Sequence, residues 1–249
     1  SDAALIEFGS RRETFSQFPL EDGKMASPLN DPKLEALLER LHAQSDTQID
    51  ETDAYFAQRK RDGTLDFAKP YDDALHGFLA DKMVALDRDK GEFCYQLCRA
   101  LGARRVVEAG TSYGVSTLYL AAAVRDNQVE NGVVIGTEFE PAKVRIAQEN
   151  FAEAGLSDYI ELREGDLRET LKDVGGPVDF MLVDIWEVAL PALERVSPSL
   201  RPGAIVACDN TTVSADEYGG YFEFVNDPRN RFRTMTVPFQ GGFELTVRI

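Results

Sequence analysis

Residues 105–119 restrict the possible fold more than any other stretch, reading Arg-Val-Val-Glu-Ala-Gly-Thr-Ser-Tyr-Gly-Val-Ser-Thr-Leu-Tyr. The apolar step Val106-Val107 leads to Glu108 and then to two glycines, Gly110 and Gly114, with Thr111, Ser112 and Tyr113 between them. Beyond them Val115, Leu118, Tyr119 and Ala122 recur at helical spacing. That order predicts a buried strand, a tight glycine turn, and a helix whose N-terminus points at whatever the turn cradles. Glycine lets a ligand approach the backbone closely, and the first N–H groups of a helix favour an anionic group. A dinucleotide fingerprint needs glycine at position 112, where Ser112 stands, which weakens a nicotinamide or flavin reading. An ordinary strand-to-helix turn carries the same pattern, so this stretch alone leaves both readings open.

From there the pattern alternates. Strands are expected at 106–109, 132–137, 159–163, 179–183 and 204–208, with helices at 115–124, 141–154, 167–174 and 188–196 between them. Pro141 suits a first helical position, and Pro202-Gly203 reads as the turn before the fifth strand. Such alternation means a doubly wound, mostly parallel α/β sheet with right-handed crossovers. The tail departs from it: 232–237 and 243–249 flank Gly241-Gly242 and read as an antiparallel terminal hairpin, giving seven strands.

About a hundred residues precede the first strand. A helix is expected from Pro32, with Asp31 as its cap and Leu34, Leu37, Leu38 and Leu41 on one face. A polar helix follows near 50–61, Leu75, Phe78 and Leu79 begin a third, and Phe93, Leu97 and Leu101 mark a fourth. Residues 1–30 lack periodicity and read as an arm. The chain thus divides into that arm, a helical extension at 31–102 that serves as lid or dimer element, and the α/β domain at 103–249.

Composition excludes several partners. With 27 basic against 43 acidic residues the formal net charge is -16, which repels phosphate backbones and anionic lipid. Neither nucleic acid nor membrane is therefore expected, and no apolar run approaches the ~18 residues of a membrane span. Cys94 and Cys98 stand one helical turn apart and Cys208 lies in an apolar run. They read as reduced core residues of a cytoplasmic protein. His42 and His76, the only histidines, show no metal-ligand pattern.

In an open α/β sheet, ligands bind beyond the carboxyl ends of the strands. Acidic or amide residues close four successive strands here: Glu138, Asp166, Asp184 and Asp209-Asn210. A carboxylate ending the second strand can accept both hydroxyls of a ribose, which suits an adenosine-bearing cofactor. Asp184, Asp209 and Asn210 offer an oxygen-only set with room for water, the kind that Mg²⁺ accepts. Asp209-Asn210 suits a plain turn equally well.

Taken in order, these motifs carry a resemblance. Val107-Glu-Ala-Gly-Thr-Ser-Tyr-Gly-Val-Ser-Thr resembles the first motif of class I S-adenosylmethionine-dependent methyltransferases, in particular the catechol and caffeoyl-CoA type of O-methyltransferase. Gly136-Thr-Glu-Phe-Glu-Pro and Gly165-Asp-Leu are similar to that family's second and third strand ends. Phe180-Met-Leu-Val-Asp-Ile-Trp and Leu200-Arg-Pro-Gly-Ala-Ile-Val-Ala-Cys-Asp-Asn resemble its metal-bearing strands. Val237-Pro-Phe-Gln-Gly-Gly-Phe-Glu-Leu resembles its closing hairpin, so the likeness runs from about Phe78 to Ile249.

The resemblance implies a Rossmann-like methyltransferase fold and methyl transfer from S-adenosylmethionine to a hydroxyl of a small-molecule acceptor, assisted by Mg²⁺. By the same resemblance Gly110, with Glu108, Thr111, Ser112 and Gly114, passes along the methionine part of the cofactor, and Ser116 bonds its carboxylate. Glu138 holds the ribose hydroxyls, Asp166 and Leu167 border the adenine, and Asp184, Asp209 and Asn210 hold the metal. Trp186, beside Asp184, walls the pocket. One position departs: where catechol-type enzymes carry a lysine base three residues after the first metal aspartate, this chain has Glu187. The proton acceptor is then Asp184, Glu187, or no side chain at all if the metal alone polarises the hydroxyl. The long leader leads us to expect a homodimer. Two alternatives stay open: a metal-independent N- or O-methyltransferase, and a non-catalytic cofactor-binding protein of the same fold.

Overall fold

Five parallel strands form in chain order: β1 (Arg105–Ala109), β2 (Val133–Glu138), β3 (Ile160–Glu164), β4 (Val178–Val183) and β5 (Leu200–Asp209). Two more, β6 (Phe232–Val237) and β7 (Phe243–Arg248), run antiparallel to each other. The sheet order is β3-β2-β1-β4-β5-β7-β6, in a computed structural model that describes residues 27–64, 73–185, 188–212 and 218–249. The order reverses between β1 and β4, which places a crevice at their carboxyl ends.

Helices cover both faces of the sheet. On one side lie α1 (Pro32–Asp46), α4 (Arg88–Leu101), α5 (Val115–Asn127) and α6 (Pro141–Ala154), joined in one apolar core with Val106, Phe180 and Leu182. On the other lie α7 (Leu167–Thr170), α8 (Ala189–Val196) and α9 (Gly219–Asn226), packed on Val107, Met181 and Val183. Strand β4 is therefore sandwiched, and Phe180 through Val183 are fully buried. That explains the unbroken apolar run from Phe180 to Val183, since a strand covered on both faces has no polar side to present. The leader also holds α2 (Ile49–Arg61) and α3 (Asp73–Leu79). Asp31 caps α1 by accepting from the Leu34 N–H at 3.1 Å, and Leu34, Leu37, Leu38 and Leu41 are buried.

Several expectations change. Pro202-Gly203 is no turn: β5 begins at Leu200 and runs through it, with a register irregularity opposite Val178 and Phe180. The terminal hairpin is antiparallel as expected, with β7 inserted between β5 and β6. Helix α7 stops at Thr170, and α9 was unforeseen because it opens with Gly219-Gly220, poor helix formers. Helix α4 is rotated from the expected stripe. Its buried face is Lys90, Gly91, Cys94, Tyr95 and Cys98, while Phe93, Leu97 and Leu101 are only partly buried. The three cysteines are free buried thiols. Among the described residues no helix is long and apolar enough to cross a membrane. The expected arm lies outside the described residues up to position 26, and Leu29 beyond it is buried.

Candidate functional site

The turn between β1 and α5 is built on two glycines that the backbone requires. Gly110 has φ +97°, and a Cβ there would meet the Asp184 carbonyl oxygen at 2.4 Å. Gly114 has φ +85°, and a Cβ would fall 2.3 Å from the Phe151 ring. Between them Ser112 adopts φ +50°, a left-handed conformation that costs a non-glycine residue about 1 kcal/mol or more. The turn survives because its neighbours tie it down. Ser112 N–H donates to Glu138 Oε2 at 2.7 Å, and Thr111 N–H to the Thr137 carbonyl at 2.9 Å. Glu138 also accepts from Glu140 N–H through Oε1 at 2.8 Å, so its carboxylate is fixed at the end of β2.

Glu108 is wholly buried behind this turn. Its Oε2 accepts from Thr111 and Thr117 hydroxyls at 2.8 and 2.5 Å, while Oε1 has no partner. Burial pushes its carboxyl above the ordinary range, against hydroxyl donors that include Ser116. The Ser112 hydroxyl is likewise buried and unpartnered.

A cleft of about 210 Å³ opens at the strand ends. Its walls include Gly110, Ser112, Glu138, Asp166, Leu167 and Asp184. The leader contributes Leu75, His76, Leu79, Ala80 and Val84, so α3 and the loop after it close one side. Phe139, which is 54% exposed, stands over the cleft beside Glu138. Lys143 also reaches it, buried with its ammonium 5.7 Å from the Tyr113 ring centre. Burial pulls the Lys143 pKa below that of an ordinary lysine, despite Glu138, Glu140 and Asp81 nearby. Asp166 caps α7 by accepting from Arg168 N–H at 2.9 Å and pairs with the Arg168 guanidinium.

Beside the cleft lies a buried ion pair. Lys90 Nζ on α4 is 2.6 Å from Asp209 Oδ1 and 3.2 Å from Asp87 Oδ2. The Lys90 side chain is 2% exposed and that of Asp209 5%. Burial opposes the lysine's charge, yet the two carboxylates outweigh it and hold its pKa above the usual value. Asp209 Oδ1 also accepts Asn210 N–H at 2.7 Å, and Asn210 adopts φ +62°. Burial, then the charge of Asp209, pushes the Asp184 carboxyl well up, with Lys90 counteracting.

Within the expected Mg²⁺ set, Asp209 is already paired with a cation of the chain's own, which works against a second one beside it. Asp209 Oδ1 already receives two donors, one of them a buried ammonium, so of this carboxylate only Oδ2 is left to meet an ion.

Residues 107–211 match the family model described as a methyltransferase domain. This similarity to a methyltransferase domain runs from within β1 to just past the end of β5. It is 32% identical to a catechol O-methyltransferase of Mycobacterium tuberculosis over 129 residues, which cover 51% of this chain and 57% of that protein. To caffeoyl-CoA O-methyltransferase 2 of Zea mays it is 27% identical, covering 52% of this chain and 50% of the other. The chain thus spans about half the length of these curated relatives. An O-methyltransferase from Bacillus cereus, solved in complex with SAH, superposes with a TM-score of 0.61 at 23% identity. That match covers 72% of this chain and 92% of the other, and shows the shared fold.

Within the methyltransferase domain the expected residues separate into two groups. Gly110, Ser112, Glu138, Asp166, Leu167 and Asp184 line the cleft, whereas Glu108, Thr111, Gly114 and Ser116 are not on its wall. Ser116 is buried close to Glu108. Trp186 and Glu187 lie outside the described residues. Sequence reasoning missed Lys90, Phe139 and Lys143. Lys90 had a signal: with Cys94 and Cys98 it falls at helical spacing on one buried stripe, an unusual place for a lysine.

Proposed function

We propose that the methyltransferase domain transfers a methyl group from S-adenosylmethionine to a hydroxyl oxygen of a small-molecule acceptor. The observation that carries this reading is the glycine turn at 110–114 tied to Glu138 on a single cleft wall. Glu138 takes the ribose hydroxyls, since each of its oxygens accepts one backbone N–H and keeps a lone pair. The unpartnered Ser112 hydroxyl bonds the polar tail of the cofactor, and Asp166 and Leu167 flank its adenine. Glu108, Thr111, Gly114 and Ser116 hold the turn in the shape this requires.

When bound, S-adenosylmethionine supplies an activated methyl group: the C–S bond breaks toward sulfur as the C–O bond forms, leaving S-adenosylhomocysteine and a proton. Asp184 receives that proton. It lies at the end of β4 against Gly110, and its raised proton affinity suits a base better than an ordinary aspartate. Trp186 as acceptor wall and Glu187 as a competing base are carried over from the sequence alone. The form of this reading that uses Mg²⁺ sets a second cation beside the Lys90–Asp209 pair, so no step is assigned to an ion here. Residues 31–102 serve as lid, with α3 on the cleft wall, and a homodimer through the leader belongs to the same reading. In its support, α2 buries only Phe56 within the chain.

Calorimetric titration tests the core of this proposal. S-adenosylhomocysteine should bind at micromolar affinity and NAD far more weakly. Equal binding of NAD, or binding of neither, overturns it. A screen of hydroxylated acceptors with labelled methyl donor then identifies the substrate.

A further inference from the structure

We infer that Lys90 is the resident cation of the acceptor side, neutralising from within the chain Asp209, a carboxylate that the family resemblance assigned to a divalent ion. The inference rests on the methyltransferase reading and deepens it. Its geometry is specific. Lys90 Nζ sits 2.6 Å from Asp209 Oδ1 and 3.2 Å from Asp87 Oδ2, inside a shell where the lysine is almost wholly covered. The same Asp209 oxygen accepts Asn210 N–H at 2.7 Å, so it is engaged twice and an ion would have to use Oδ2, beside the ammonium. With metal–oxygen contacts near 2.1 Å, an ion on Asp209 would stand roughly 5–6 Å from the ammonium in a poorly screened site, and like charges repel there.

The helix that delivers Lys90 is locked in place. Gly91 packs so closely that a Cβ would fall 2.7 Å from the Tyr119 ring, and Cys94 and Cys98 continue the buried stripe. Lys90 is not on the cleft wall, so it acts through Asp209 and is a positioning residue. An acceptor consequence follows. With no ion to chelate, two adjacent oxygens give no advantage, and a lone hydroxyl suffices.

Mn²⁺ titration followed by electron paramagnetic resonance tests this on the full chain saturated with S-adenosylhomocysteine. Binding of that product is measured first on the same sample, so its absence indicts the methyltransferase reading and not the role of Lys90. Wild type should show no saturable micromolar Mn²⁺ site that Asp209→Asn removes, and finding one overturns the inference. Lys90→Met should gain such a site, at least about tenfold tighter than any in wild type, because the freed carboxylates then recruit the ion. Lys90→Arg should stay blind to Mn²⁺. A Lys90→Met protein that still binds S-adenosylhomocysteine but gains no Mn²⁺ site also overturns the inference. Should that variant fail to fold, the wild-type and Lys90→Arg titrations decide. Given an acceptor, wild-type turnover should ignore chelator, whereas Lys90→Met should lose turnover and regain part of it with Mn²⁺.

Discussion

A methyl group added at Gly110 would press on the Asp184 carbonyl oxygen in a conformation that already disfavours L-residues. Gly110→Ala should therefore cost about 2 kcal/mol or more in stability and abolish product binding, read by thermal melting and calorimetry. Glu138→Ala is milder for the fold and sharper for the ligand. It should weaken S-adenosylhomocysteine by about 1–3 kcal/mol, because charge-assisted hydrogen bonds to the ribose are lost. The proton acceptor can be assigned by a pair of variants. Asp184→Asn should lower kcat by ~10²-fold or more while Glu187→Gln keeps most activity, and the reverse result transfers the role to Glu187.

At the scale of elements, Asp179 ties three strand starts together. Opening β4, it accepts N–H groups of Arg104 and Arg105 at 2.8 and 2.9 Å and the guanidinium of Arg201 on β5. Burial works against its charge, but these donors prevail and hold its pKa below the ordinary value. A depressed carboxyl stabilises the fold above its unfolded pKa and loses that contribution as pH falls through the folded one. Asp179→Asn should thus lower stability by about 1–2 kcal/mol at pH 7 and by progressively less below pH ~4, as urea melts across pH would show. The strands were legible in sequence because parallel strands covered on both faces are continuously apolar, as in Phe180–Val183. Glu138 and Asp184 were legible because they end such strands. What escaped depends on distant partners. The rotation of α4 is set by Tyr119 and Asp209, neither of which its own periodicity reports. Helix α9 forms where its leading glycines argue otherwise, because Tyr221 and Val225 are buried against the sheet.

For the whole molecule, light scattering should give the mass of a homodimer; a monomer at working concentration refutes that expectation. The formal charge of -16 makes the salt in that measurement matter, since it screens repulsion between copies. Another consequence lies in the order in which the sheet is completed. Strand β7 pairs with β5 from Ile205–Val247 to Asp209–Phe243, yet it is made after β6 and slots between the two. During synthesis β5 therefore keeps an open edge until residues 243–248 have emerged from the ribosome. Asp209, which closes that strand, acquires its neighbour Phe243 only then. The acceptor side of the cleft is the last part of the sheet to gain its final shape, and a nascent chain stalled just short of β7 would present an adhesive strand edge.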